Sequence, residues 1–156
     1  MYEKMKIENA DVVNSYYNLA MITKDEEKQL GLLNKASAIQ KVIDYNNENA
    51  ADISYDIGML KEDIEEQCKY LQSAIQIYNK KGVNTVGKAL TYFRLGKIEG
   101  NPKDRGSLYK QALNVYRALN YEDCNLIRIY WSLAKSKELK EDKKECYERI
   151  IEISER

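Results

Sequence analysis

Apolar residues along this chain recur at three- and four-residue spacing, the period of an amphipathic helix, and nowhere in the strict alternation of a strand. Leu32, Leu33, Ala36 and Ile39 form one such stripe, and Tyr70, Leu71, Ala74 and Ile77 form the next. Leu108, Tyr109, Ala112 and Val115 follow, then Cys146, Tyr147, Ile150 and Ile153, each stripe 38 residues after the last. A second set keeps the same step. Tyr17-Asn18-Leu19-Ala20, Tyr55-Asp56-Ile57-Gly58, Phe93-Arg94-Leu95-Gly96 and Trp131-Ser132-Leu133-Ala134 all read aromatic, polar, aliphatic, small. Between the two sets, Asp25, Asp63 and Asn101 share one column, and all three are good N-cap residues. Asp63 has Glu66 three residues on, an acidic form of the capping box, and Asn101 precedes Pro102, a cap followed by proline at the first helical position. Leu139 leaves that column in the last repeat. Further breaks fall near Asn46-Asn47, Lys81-Gly82 and Asn120. The pattern predicts eight helices, over 10–23, 26–46, 50–61, 64–80, 85–99, 102–119, 123–137 and 140–155.

The small residues at Ala20, Gly58, Gly96 and Ala134 need a reason, since Gly inside a helix costs about 1 kcal/mol against Ala. Close approach of a second helix supplies one, and Ala36, Ala74 and Ala112 offer the matching small surface. Each unit of 38 residues is then a helix pair that buries its apolar face by stacking on its neighbours.

This arrangement resembles the tetratricopeptide repeat superfamily. Ala74-Ile75-Gln76-Ile77-Tyr78 and Ala112-Leu113-Asn114-Val115-Tyr116 are similar to that family's second helix, and the likeness runs over residues 11–156. The usual repeat is about 34 residues, so this one is longer by about one helical turn. No proline closes a repeat, and the Ala column ends in Ile150. The resemblance implies an all-α fold: a right-handed solenoid of four antiparallel helix pairs in one domain, residues 1–156, with repeats near 10–47, 48–85, 86–123 and 124–156. It also implies a concave groove, lined by the first helix of each pair, that grips a peptide or helix of a partner protein. Helical spacing from the aromatic column then gives the groove-facing candidates Asn14, Tyr17, Met21 and Lys24; Asp52, Tyr55, Met59 and Glu62; Leu90, Phe93 and Lys97; and Arg128, Trp131, Lys135 and Glu138. The expected partner-binding residues are Tyr17, Met21, Tyr55, Met59, Phe93, Lys97, Arg128, Trp131 and Lys135. Two roles stay open for the column, a ladder along the groove or filling between pairs; Tyr16, Tyr92 and Tyr130 are the better candidates for core. The Lys, Asn and Arg clamp with which some family members hold a C-terminal carboxylate is not matched.

Composition narrows the chemistry. The 156 residues contain no histidine, which removes Ser-His-Asp and Cys-His catalysis and leaves little with which to build a transition-metal site. Cys68, Cys124 and Cys146 form no close pair, which reads as reduced thiols inside the cell, with Cys146 in the core. No apolar run suits a membrane span or signal peptide, so a cytoplasmic location is expected. Glu65-Glu66, Asp25-Glu26-Glu27 and Glu141-Asp142 sit at helix starts, where they meet the helix dipole. Gly82-Val83-Asn84-Thr85-Val86-Gly87-Lys88-Ala89 approaches a phosphate loop, but Ala89 stands where the magnesium-binding hydroxyl belongs and no strand precedes it. Helix punctuation is the better reading, and neither an enzyme nor a cofactor is expected.

Charge adds one asymmetry. The 25 basic and 25 acidic residues cancel, yet residues 1–82 hold 10 basic and 14 acidic side chains and residues 83–156 hold 15 and 11. That suits an acidic partner on the C-terminal half or head-to-tail self-association, and is too weak a bias for duplex DNA. Arg94, Lys97, Arg105, Lys110 and Arg117 are the basic candidates. The leading expectation is a non-enzymatic protein-binding module. The alternative is a self-assembling scaffold, or a fragment of a longer solenoid, that joins through Cys146, Ile150, Ile151 and Ile153 of its last helix pair.

Overall fold

The computed structural model describes the backbone of residues 2–43, 49–136 and 140–156, and the side chains of residues 10–42, 49–136 and 143–156. Within these limits the chain is all-α, with eight helices and no strand: α1 (Tyr2–Ile22), α2 (Glu26–Ile43), α3 (Ala50–Met59), α4 (Ile64–Lys81), α5 (Val86–Ile98), α6 (Pro102–Leu119), α7 (Cys124–Ser136) and α8 (Lys140–Ser154). The largest departure from expectation is α1, which starts at Tyr2 instead of near residue 10. Glu3, Lys4, Met5, Lys6 and Glu8 are good helix formers with no breaker among them, so nothing local stops the helix earlier. The expected breaks at Asn46-Asn47 and Leu139 lie outside the described residues.

Local side-chain chemistry starts the helices. Asp25 Oδ1 accepts from Lys28 N at 3.0 Å, and Asp63 Oδ1 from Glu66 N at 2.8 Å. Only half of the expected capping box forms, because the Glu66 carboxylate turns to Lys61 Nζ, 3.0 Å away. Asn101 accepts from Lys103 N at 2.9 Å, with Pro102 opening α6. In the phosphate-loop-like segment, Thr85 caps α5 by accepting from Lys88 N at 3.1 Å. Lys88 Nζ folds back on Val83 O and Asn84 Oδ1, so this lysine braces its own turn. Asp123 caps α7, accepting from Asn125 N at 2.9 Å and Leu126 N at 3.0 Å, and α6 ends on Asn120 in the left-handed region at φ 48°.

The chain divides into two compact units, Met1–Lys80 and Lys81–Arg156. In the first, α1 packs on α2 and α2 on α3 around Val13, Ala20, Leu33, Ala36, Ile53 and Ile57. A smaller cluster of Ala51, Ala74 and Tyr78 ties α3 to α4. In the second, α5 packs on α6, α6 on α7 and α7 on α8, burying Leu95, Tyr109, Leu113, Tyr116, Ile129 and Cys146 among others. Each large aliphatic or aromatic side chain taken out of water contributes about 1.5–3 kcal/mol. Ala36, Ala74 and Ala112 are fully buried, as are Ala20 and Ala134. At Gly58 an added Cβ would sit 3.1 Å from Tyr70 Cβ, and at Gly96 2.5 Å from Tyr109 Cε1. These are the close approaches the small-residue column predicts.

Candidate partner-binding surface

The second unit carries a cleft between its two odd-numbered helices. Phe93, Arg94 and Lys97 of α5 face Ile127, Arg128, Trp131 and Ser132 of α7 across an open space of about 480 Å³. Helical spacing places each set on one side: 93 and 97 lie one turn apart, and so do 128 and 132. The expected candidates Phe93, Lys97, Arg128 and Trp131 therefore meet, and Lys135 lies one turn beyond Trp131. Its Nζ sits 5.1 Å from the Trp131 ring, just as Lys97 Nζ sits 5.3 Å from the Phe93 ring. The two aromatics are not equivalent. Trp131 is 48% exposed and leans edge-on against Tyr147 at 5.7 Å. Phe93 is only 7% exposed, its ring packed against Tyr109 at 5.7 Å. Of the two roles left open for the column, Phe93 takes that of filling: α6 supplies a tyrosine against this ring, so Phe93 floors the cleft and belongs to the core beneath it. Tyr92 and Tyr130, one residue earlier in each helix, are buried as expected.

The cleft's electrostatics are one-sided. Arg94, Lys97 and Arg128 are exposed, no carboxylate lines the space, and none of the three is in an ion pair among the described residues. Basic groups beside an apolar, aromatic wall suit an anionic segment with an apolar anchor. The other basic candidates go elsewhere. Arg105 donates to Glu99 O at 2.8 and 3.0 Å, while Lys110 and Arg117 line a separate recess with Tyr130, Glu145 and Cys146. Arg94, which completes the cleft, was visible in the sequence only as a charge, whereas Arg128 was already among the groove-facing candidates; that both line one space depends on where α5 and α7 lie in the folded unit.

In the first unit the same columns behave differently. Tyr17 is half-buried against the α1–α3 core, and Tyr55 packs against the Ala51, Ala74 and Tyr78 cluster. Met21 is exposed and Met59 half-buried. Tyr17 lies beside the Asp56 carboxylate, Tyr78 donates its O–H to Asp52 Oδ1, and Asn49 Nδ2 donates to Asn14 Oδ1 at 3.1 Å. Burial above all, then the Asp52 charge one turn away, pushes Asp56 up to about 6, although the neighbouring Tyr17 hydroxyl opposes the shift. Burial also raises Tyr17, reinforced by Asp56 and Asp52. This carboxylate–tyrosine cluster was not foreseen. Asp56 is simply the polar member of its repeat segment, and no spacing rule links it to Tyr17 or Tyr78. Of the remaining groove candidates, Lys24 and Glu62 are exposed and Leu90 is half-buried, while Glu138 lies outside the described residues.

Among the described residues no group of three or more His, Cys, Asp or Glu could hold a metal ion, and no helix is long and apolar enough to cross a membrane. No protein-family model and no curated protein matches the chain.

Proposed function

We propose that the chain is a non-enzymatic protein–protein interaction module: tetratricopeptide-like helix pairs stacked as a right-handed solenoid, whose first helices offer a groove to a segment of a partner protein. The occupied part is the α5–α7 cleft, and its occupant is an acidic peptide or helix with an apolar anchor. One observation carries this reading. The chain's single tryptophan stands 48% exposed in a cleft walled by Arg94, Lys97 and Arg128, with no carboxylate among the described residues that line it. The 38-residue repeat, the small-residue crossings and the buried Ala column support the repeat architecture.

The test uses Trp131 as its own reporter. A short synthetic peptide of Glu and Leu, titrated into the full chain, is expected to shift Trp131 emission saturably, while a Lys and Leu peptide of equal length leaves it unchanged. Arg94→Glu with Arg128→Glu should weaken the apparent affinity at least tenfold, equivalent to about 1.4 kcal/mol. Binding should also weaken as salt rises, since exposed charges are screened over about 8–10 Å at ordinary ionic strength. If the emission ignores both peptides, or follows the Lys peptide equally well, the cleft is not an acidic-segment site.

A further inference from the structure

The chain itself presents a segment with the chemistry the cleft calls for. The turn into α4 reads Glu62-Asp63-Ile64-Glu65-Glu66, and Ile64, the first residue of the helix, is 63% exposed. A large aliphatic side chain thus projects from the middle of four carboxylates. Two of these are engaged locally: Asp63 caps α4, and Glu66 pairs with Lys61. Glu62 and Glu65 are exposed and make no ion pair among the described residues. The corresponding column holds Glu26 in the first repeat and Pro102 in the third, so of these three turns this one alone is both acidic and apolar. The two compact units differ in charge in the same sense. Met1–Lys80 holds nine basic and 14 acidic residues, a net of −5, and Lys81–Arg156 holds 16 and 11, a net of +5.

We propose that the acidic, Ile64-centred turn of a second copy of this chain docks in the α5–α7 cleft, with Ile64 against Trp131 and Glu62 and Glu65 toward Arg94 and Arg128. The inference rests on the reading of the cleft as an acidic-segment site and names its occupant. Such a contact is heterologous: the first unit of one copy meets the second unit of the next, leaving a free turn at one end and a free cleft at the other. Self-association is therefore open-ended, salt-sensitive and dependent on concentration.

Sedimentation velocity of the full chain over a range of concentrations tests it. The wild-type mass should rise with concentration at low salt and fall back at high salt. Ile64→Ser, a change at an exposed position, should weaken the association at least tenfold without altering the melting temperature. Glu62→Lys with Glu65→Lys, and separately Arg94→Glu with Arg128→Glu, should each leave a monomer. Mixing these two variants should restore association, because one keeps the turn and the other keeps the cleft. A wild-type chain that stays monomeric at low salt, or associates regardless of Ile64 and of both charge reversals, overturns the proposal, as does a Trp131 response to Ile64→Ser that is the same at every concentration. A synthetic peptide of residues 60–68 separates this failure from failure of the cleft itself. If that peptide or the Glu and Leu peptide shifts Trp131 while the chain remains monomeric, the cleft reading stands and the second copy is excluded; if neither binds, both fall.

Discussion

Gly96→Ala sets two effects of opposite sign against each other. In a helix interior the change should stabilise by about 1 kcal/mol, because Ala has the higher helix propensity. The structure predicts the reverse. The new Cβ would lie 2.5 Å from Cε1 and 2.8 Å from Cδ1 of Tyr109, whereas carbon atoms in contact settle at about 3.5–4.0 Å. The ring must retreat by about 1 Å to make room. It has nowhere to go: Tyr109 is 3% exposed and its ring already packs on Phe93. Overpacking of this kind costs about 1–3 kcal/mol, so Gly96→Ala should be destabilising by roughly 0–2 kcal/mol net, and Gly96→Leu by more. Gly31 is the internal control. It lies within α2 with nothing near a built Cβ, so Gly31→Ala should show the propensity gain alone. Melting followed by circular dichroism at 222 nm reads both, at about 4–8 °C per kcal/mol for a unit of this size. Tyr109→Leu in the Gly96→Ala background should recover part of the loss, a coupling that a double-mutant cycle isolates. If Gly96→Ala raises the melting temperature as Gly31→Ala does, the close approach of α5 and α6 is refuted.

Gly58→Leu should also be clearly destabilising in a thermal melt, since Tyr70 Cβ at 3.1 Å and the Gln67 carbonyl at 3.4 Å close the space beside it. Asp56 has a folded-state value near 6 against an ordinary 3.8, so its ionised form is the one the fold disfavours. Its contribution is a penalty at neutral pH that is relieved as the pH falls through about 6 towards 4. Urea midpoints of the wild type should accordingly gain on those of Asp56→Asn between pH 7 and pH 5, and parallel curves would refute the assignment. Asp123→Ala removes the α7 cap and leaves the Tyr116 hydroxyl, now 2.9 Å from Asp123 Oδ1, without its acceptor. A loss of about 1–3 kcal/mol is expected by chemical denaturation. Phe93→Ala should cost stability as well as affinity, about 3–5 kcal/mol for a truncated buried ring, and a variant that lost only peptide binding would show the ring to be surface.

Short-range forces set the features that spacing along the chain reveals. The 38-residue step, the helix type and the starts at Asp25, Asp63 and Asn101 each depend on residues within one or two turns, so spacing alone reveals them. The small-residue column was legible for a related reason: a glycine in a helix interior is costly unless something approaches it, and at Gly58 and Gly96 something does. Tertiary structure alone decided what each column faces. Tyr17, Phe93 and Trp131 occupy one register position, yet the first lies beside the half-buried Asp56, the second floors a cleft and the third stands half-exposed. Register fixes a side chain's direction from its own helix, while the neighbouring helices supply what it meets. Arg94 and Arg128 line one space because α5 and α7 lie beside the same cleft, and Asp56 is driven up chiefly because the folded unit buries it. Charge and burial of this kind belong to pairs of elements, and one-dimensional spacing does not carry them.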